Sequence, residues 1–534
     1  MLAEPATPAR RDFLIPLLLA VGLTAAVLFV QWRIDFNAAD EGFLWEGVIL
    51  TAHGKVPLRD FYSYDPGRYL WAAAWAKLFG EGILALRLSS AIFQAGGLLC
   101  GLLAVRRALP RFWQLALAGV VLVVWMEPRH KLFEPALAMA AVYVGVLLIE
   151  RPSARRHLLA GALVGFAGVM GKNHGAYTLA AFFLLIVWLH WARIAPAGVR
   201  ALGRDLLVWL GGIALGALPL LVMMAFVPGF FRAYVDSALF FVRQKQTNFG
   251  LPVPWPWVGS YAGLPWDEAL QKLALGLGFL LLLAAVVVAI LSLPRTTPEN
   301  AGRRALLVAG GVVGMFYLHH ALSRADGFHL TQSIHPALLA LFGLPAALDG
   351  AERRTLRHAA VAVVVPLVAF LTLFAAVPQT PLYSALTPET PLDAFVPFRL
   401  GGDDLRLPAR TANLFAEIER QIALLVPPGE PVLLIPHLPG LYPVIGRESP
   451  ISDFYPIWPA QGGRDEKMLR EIRTARVRWA VYTDYTEEGD DPELVFPKTH
   501  PEVWSYLEAN FERVPDRGLP RRVRLLHFRS AGRQ

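Results

Sequence analysis

Arg10-Arg11-Asp12-Phe13-Leu-Ile-Pro-Leu-Leu-Leu-Ala-Val-Gly-Leu-Thr-Ala-Ala-Val-Leu-Phe-Val30-Gln31-Trp32-Arg33 decides the class of fold. Between Phe13 and Val30 there is no charge, and a helix of that length nearly matches the hydrocarbon thickness of a bilayer. No small-x-small cleavage pattern follows, so the run reads as a retained first span and not as a removed signal peptide. The same pattern recurs outward from it. Spans are expected near residues 13-31, 83-105, 112-126, 134-149, 157-171, 175-191, 206-227, 271-293, 305-320, 331-348 and 359-377, about eleven in all, with the third, fourth and fifth short for a full crossing. The chain has 534 residues, 55% hydrophobic and 17% charged. Roughly a quarter charged is normal for a soluble protein, so a purely soluble enzyme is excluded and a polytopic α-helical membrane protein is expected.

Charge supports this class and gives an orientation. Residues 1-377 hold 31 Lys+Arg and 20 Asp+Glu, a net of +11, while residues 378-534 hold 19 and 22, a net of −3. The excess of base therefore lies in the membrane half, where the positive-inside bias accounts for it without nucleic acid. With a cytoplasmic N-terminus, every inner break is Arg-rich: Arg10-Arg11, Arg106-Arg107, Arg155-Arg156, Arg200 with Arg204, Arg303-Arg304, Arg354 with Arg357. The opposite breaks carry acids, His, Trp and Pro. This places the first loop (32-82), a long loop at 228-270 and the C-terminal segment outside the cytoplasm, the arrangement of a bacterial inner-membrane protein. The single cysteine, Cys100, lies in an apolar run, so an outer domain has no internal disulfide.

Three parts are expected: a transmembrane domain at 1-377 that includes outer loop 32-82, a Pro-rich connector at 378-410, and an extracytoplasmic α/β domain at 411-534. In the last part helix patterns at 411-426, 465-475 and 501-511 alternate with strand patterns at 431-436, 477-482 and 522-528. Within spans, Gly161-x-x-x-Gly165 and Gly212-x-x-x-Gly216 read as helix-packing faces.

The richest chemistry lies in the first outer loop, Asp35-Phe-Asn-Ala-Ala-Asp40-Glu41-Gly42-Phe-Leu-Trp-Glu46-Gly followed by Gly54-Lys55-Val-Pro57-Leu-Arg59-Asp60-Phe-Tyr-Ser-Tyr-Asp65-Pro66-Gly67-Arg68. A carboxylate fixed just outside a first span can deprotonate an incoming hydroxyl or bind a divalent metal. Asp40 and Glu41 are the preferred candidates, because adjacent acids before Gly42 and an apolar helix pattern look placed at a helix start. Asp35, Glu46 and Asp60 read more simply as solvated acids paired with Lys55, Arg59 and Arg68.

This loop resembles the first outer loop of GT-C superfamily glycosyltransferases, in its Asp-Glu pair after the first span, its Gly-x-Val-Pro-x-Arg-Asp-Phe turn, its Tyr-x-x-Pro/Gly segment and the aromatic amphipathic helix from Tyr69 to Phe79. The closest likeness is to bacterial relatives of protein O-mannosyltransferases and lipid A aminoarabinose transferase. It implies a GT-C fold, a polyprenyl-phosphate-linked sugar donor, a glycan, lipid or protein acceptor, and Asp40 as the catalytic acid with Glu41 as its neighbour.

Other outer breaks offer further candidates. Glu127-Pro-Arg129-His130-Lys131-Leu-Phe-Glu134 lacks a strict Asp-x-Asp or Glu-x-Asp pattern, which leaves a divalent metal an open possibility with Glu127 and His130 as ligands and Arg129 and Lys131 as phosphate-binding cations. Lys172 and His174, in Gly171-Lys-Asn-His-Gly175, lie between two apolar helices. A lysine there needs a partner, for which a phosphate serves, unless it snorkels to the interface. His319-His320-Ala-Leu-Ser323-Arg324-Ala-Asp326-Gly327-Phe328-His329-Leu330 resembles a recurrent string of these bacterial proteins, with Arg324 and His329 holding donor phosphate or sugar hydroxyls. The simpler reading is an Arg324-Asp326 pair closing a turn. The expected reaction is an inverting displacement in which Asp40 takes the acceptor's proton, with the C-terminal domain capping the site or selecting the acceptor. The rival classes are a lipid or sugar transporter (flippase) and a non-catalytic envelope-assembly subunit.

Overall fold

The computed structural model describes residues 10–244, 248–348, 354–485, 491–515 and 518–529. The chain divides into two compact units, one of residues 1–31, 88–231 and 235–384, the other of 32–87, 232–234 and 385–534.

The first unit is helical. Each of the eleven apolar runs forms helix, but a count of eleven crossings is not confirmed. Among the described residues seven helices are long and apolar enough to span a membrane: Arg11–Gln31, Ile83–Val105, Phe133–Glu150, Lys172–Trp191, Trp266–Arg295, Ala301–Ser323 and Arg354–Gln379. Two bent pairs raise the number to nine if each counts as one span, Val199–Gly216 with Leu218–Phe226 at 60° and Gly327–Ser333 with His335–Ala347 at 52°. The bends have a local cause. Pro219 and Pro336 sit in the first turn of the second member of each pair, where the missing N–H and the ring end the preceding helix. Of the other two expected spans, Phe112–Val124 has 13 residues and Ala154–Met170 has 17; the first reaches only about 20 Å. The chain is thus a multi-pass membrane protein.

Small residues bring the Ala154–Met170 and Val199–Gly216 helices together. A Cβ on Gly161 would meet the Trp209 carbonyl oxygen at 2.0 Å, and one on Gly216 the Ala162 oxygen at 1.9 Å. The two Gly-x-x-x-Gly faces are therefore in backbone contact, as the sequence pattern suggested. The loop expected at 228-270 is partly helical, with an amphipathic helix at Phe230–Gln244.

The second unit joins the first outer loop to the C-terminal segment in one apolar core, in which Phe36, Phe43, Trp45 and Tyr69 cluster with Leu405, Phe415, Tyr442 and Phe454. The compact division thus falls elsewhere than at residue 377, because the loop's aromatic side chains are buried against the tail. Among the described residues there are six strands: β1 (Phe395–Leu400), β2 (Asp403–Pro408), β3 (Val432–Ile435), β4 (Trp479–Thr483), β5 (Phe511–Arg513) and β6 (Val523–Phe528). β1 and β2 form an antiparallel hairpin inside the segment read as connector. The other four make a sheet of order β3-β4-β6-β5 in which only β3 and β4 are parallel. The helices Ala409–Leu425, Arg464–Thr474 and Pro501–Asn510 and the strands β3, β4 and β6 lie within two residues of their expected positions.

Candidate active site

Asp40 opens the Asp40–Ala52 helix, and the residues before it explain why the helix starts there. Asn37 Oδ1 accepts hydrogen bonds from the backbone N–H of Ala39 and of Asp40, both at 2.9 Å, satisfying donors that the first turn leaves open. The carboxylates of Asp40 and Glu41 lie in that first turn, where the helix end favours negative charge.

Three contacts fix this helix start. Arg87 donates to the carbonyl oxygens of Trp32 at 2.5 Å and Asp35 at 2.6 Å, and pairs with Glu41. β2 takes up the chain before the helix, with Arg406 N–H on the Arg33 oxygen at 2.7 Å and Asp35 N–H on the Arg406 oxygen at 2.8 Å. Gly42 meets Gly440 backbone to backbone: a Cβ on Gly42 would lie 2.4 Å from the Gly440 Cα.

The three acids on the helix have different settings. Asp40 is half-buried, and the Tyr455 hydroxyl donates to its Oδ1 at 3.5 Å, a long contact. Glu41 is buried and bound by Arg87 in a bidentate pair, Nε to Oε1 and Nη2 to Oε2, each 2.8 Å. Glu46 is buried at 2% exposure, and its Oε1 has no hydrogen-bond partner. Burial, reinforced by the nearby Glu448 carboxylate, pushes the Glu46 carboxyl up to about 8. Glu46 is thus no solvated loop acid. Lys55 pairs with Glu448 at 2.7 Å. Asp60 does follow the simpler expectation. Its bond from Arg59, 2.7 Å away, together with the Val56 N–H, holds its carboxyl below the usual range.

Phe43 lies at the centre of an aromatic group beside Asp40, with ring centroids 5.0 Å from Tyr64, 5.2 Å from Tyr455 and 5.3 Å from Phe454. These edge and tilted contacts give the half-buried carboxylate a rigid wall.

The first unit holds a second polar group. His174 is fully buried, with Nδ1 3.1 Å from the Tyr317 hydroxyl and Nε2 3.9 Å from Glu134. Its ring lies 5.8 Å from that of His320, which in turn is 5.5 Å from that of His329. His329 Nδ1 bonds Asp326 Oδ1 at 2.8 Å, and Arg324 Nε bonds Asp326 Oδ2 at 2.7 Å. Asp326 also caps the Gly327–Ser333 helix through the His329 N–H. His174, Arg324 and His329 therefore come together, and the Arg324-Asp326 pair closes a turn as well. Asn248, at 2.6 Å from His329 Nε2, joins them.

The other candidates are placed differently. Lys172 is half-buried at the start of its helix. Arg129 donates to the Gln31 oxygen at 2.8 Å, tying its turn to the end of the first span, and Lys131 lies half-buried in the same turn. Glu127 and His130 are buried, but among the described residues no three His, Cys, Asp or Glu side chains converge as a metal site.

Sequence reasoning missed Arg87, Tyr455, Asn248 and the role of Glu46. Arg87 did leave a signal, a lone charge near the start of the apolar run at 83-105, which needs a partner. Tyr455 left none.

The fold can be compared with known structures. The apo crystal structure of ArnT from Cupriavidus metallidurans, a GT-C glycosyltransferase, matches at 14% identity over 97% of this chain and 98% of that one, with a TM-score of 0.51. The chain has a GT-C-like fold. ArnT bound to undecaprenyl phosphate matches at 14% identity over 99% and 100%, with a TM-score of 0.48. The oligosaccharyltransferase AglB from Archaeoglobus fulgidus, in complex with an inhibitory peptide and a dolichol-phosphate, matches at 12% over 89% and 69%, also at 0.48. The last two scores are too low to carry weight. No protein-family model matches the sequence, and neither does any curated protein. The GT-C-like architecture agrees with the likeness drawn from the first loop, and at this identity it speaks for the fold alone.

Proposed function

We propose that this chain is a glycosyltransferase that moves a sugar from a polyprenyl-phosphate donor to an acceptor hydroxyl at the outer face of the cytoplasmic membrane. The observation that carries the reading is the setting of Asp40. It is the one acid of its helix that is half-buried, Glu41 and Glu46 being buried, and it lies where the first-loop resemblance puts a catalytic acid.

The reaction is a direct displacement. Asp40 takes the acceptor O–H proton as the acceptor oxygen bonds the anomeric carbon. The bond from that carbon to the phosphate oxygen breaks, its electron pair leaves with the phosphate, and the sugar inverts. Phosphate is a good leaving group that needs charge neutralisation more than protonation. Arg324, His329, His174 and Lys172 are assigned to that task, with Arg129 and Lys131 as secondary candidates.

A flippase reading draws on the buried line from Glu134 through His174 to His320, since buried ionisable groups in spans can mark a translocation path. Yet these residues occupy helix ends: second in Phe133–Glu150, third in Lys172–Trp191, fourth from the end of Ala301–Ser323. Groups at helix ends fit a site at one membrane face better than a path through the middle.

The test is turnover of radiolabelled polyprenyl-phosphate sugars by the purified protein in lipid, with a crude envelope extract as acceptor and with or without divalent metal. Wild type should transfer label and Asp40→Asn should not. Turnover retained by Asp40→Asn removes Asp40 from the mechanism, and carrier movement without transfer favours the flippase.

A further inference from the structure

His319 lies just over one turn from the end of the Ala301–Ser323 helix and is exposed, whereas its neighbour His320 turns to Gln332, 3.1 Å away. The Tyr177 hydroxyl lies 2.7 Å from His319 Nδ1. Asn173, one turn before Tyr177 on the Lys172–Trp191 helix, hydrogen-bonds the same phenol oxygen through its side chain. With the Asn173 amide donating to that oxygen, the phenol's single proton is left for His319. Nδ1 therefore accepts, and the ring's own proton sits on Nε2. Two helices thus hold a directed chain, Asn173 to Tyr177 to His319, that ends in an N–H donor on an exposed residue.

This chain is continuous with the buried histidines. The Tyr177 ring lies 5.7 Å from that of His319 and 6.0 Å from that of His174, which leads on to His320 and His329.

We infer that His319 is a further ligand of the donor's phosphate, donating from Nε2, and that Tyr177 is a positioning residue that fixes the ring's tautomer. The inference rests on the transferase reading and adds a donor-binding residue to the same site. A ring nitrogen that carries a proton has no lone pair for a metal, so the partner of Nε2 must be an acceptor. An ionised phosphate oxygen is the strongest such acceptor, because a hydrogen bond to a charged group is about twice as strong as a neutral one. Depth agrees. The Ala301–Ser323 helix has 23 residues and is about 35 Å long, against a hydrocarbon core of about 30 Å. A residue about 6 Å from its end lies near the boundary where a lipid-borne phosphate sits.

Phospholipid headgroups share that level, so the experiment separates the two sources. The full chain, with 15N-labelled histidine, is placed in phosphatidylcholine nanodiscs and titrated with farnesyl phosphate, a carrier phosphate without a sugar. Binding is thereby read without turnover. The His319 signals, assigned by their loss in His319→Ala, should show the proton on Nε2, and the Nε2 resonance should move on titration. His319→Ala should weaken farnesyl phosphate binding roughly tenfold, and His319→Gln, which keeps an N–H donor, should regain part of it. Tyr177→Phe should weaken binding less and populate the Nδ1–H tautomer of His319, a change that lost packing alone does not produce. Unchanged affinity in folded His319→Ala, or a wild-type ring with its proton on Nδ1, overturns the inference. So does equal competition by phosphatidylglycerol at the same mole fraction, which would make bulk phospholipid the ligand. Farnesyl phosphate bound through His319 by a protein that transfers no label would sink the transferase reading and leave the phosphate ligand standing.

Discussion

Arg87 and Glu41 meet through two parallel 2.8 Å hydrogen bonds, with both side chains buried. Removing one partner leaves the other charged and unpaired, which costs roughly 3–5 kcal/mol. Glu41→Ala and Arg87→Ala should each lower the thermal midpoint sharply, whereas Asp40→Asn, at a half-buried position, should move it little. The double variant Glu41→Leu with Arg87→Leu separates structure from chemistry, since apolar pairs often replace buried ion pairs at little cost. Recovery of stability and of transfer in that variant would show that Glu41 serves only to hold the helix; recovery of stability without transfer would give it a part in the reaction.

Glu46 makes folding depend on pH. Its folded carboxyl sits at about 8 against 4.5 for the free group, so the folded chain holds a proton that the unfolded chain has lost. The stability from Glu46 is complete below about pH 4.5 and is lost as pH rises through about 8, a fall of at most a few kcal/mol. Glu46→Gln should flatten that slope and unfold later than wild type at pH 9. Parallel melting curves for the two proteins from pH 5 to 9 would refute the assignment.

Gly42 faces Gly440 with no room for a methyl group, because the nearest neighbours of its would-be Cβ are backbone atoms that cannot swing aside. Gly42→Ala should cost about 1–3 kcal/mol or more and displace the start of the helix that carries Asp40. The expected result is a lower melting midpoint together with a fall in transfer; a variant with wild-type melting and turnover would mean that the two backbones separate easily.

How much of this could be read from the letters depended on whether the cause was local. Apolar runs specify helices residue by residue, and the alternation of the tail's strands and helices was legible to within two residues. Pro219 and Pro336, the local cause of the two bent pairs, were visible too, but they were read as parts of straight spans. The β1–β2 hairpin carried a signal in Gly401-Gly402, both at positive φ as a two-residue hairpin turn requires, yet the surrounding prolines made the segment look like a connector. In the candidate site, Asp40 and Glu41 were legible as a pair but not as unequal partners. What divides them is Arg87, 46 residues beyond Glu41, and Tyr455, 415 residues beyond Asp40. No local pattern encodes either contact.

Asp326 supports two structures at once, the cap of the Gly327–Ser333 helix and the ion pairs to Arg324 and His329. Burial raises its carboxyl, but the bonds from His329 and Arg324 outweigh this and hold it below the usual carboxylate range, so it stays charged at neutral pH. Two substitutions separate its roles. Asparagine can still cap a helix, so Asp326→Asn should keep most of the stability while releasing Arg324 and His329 from their shared carboxylate. Asp326→Ala should lose the cap as well, a further cost of about 1 kcal/mol. If Arg324 and His329 hold the donor, both variants should raise the KM for the polyprenyl-phosphate donor to a similar extent, with only Asp326→Ala melting earlier. A donor KM that rises in Asp326→Ala alone would tie the effect to the helix cap, and the two ion pairs would then have no part in donor binding.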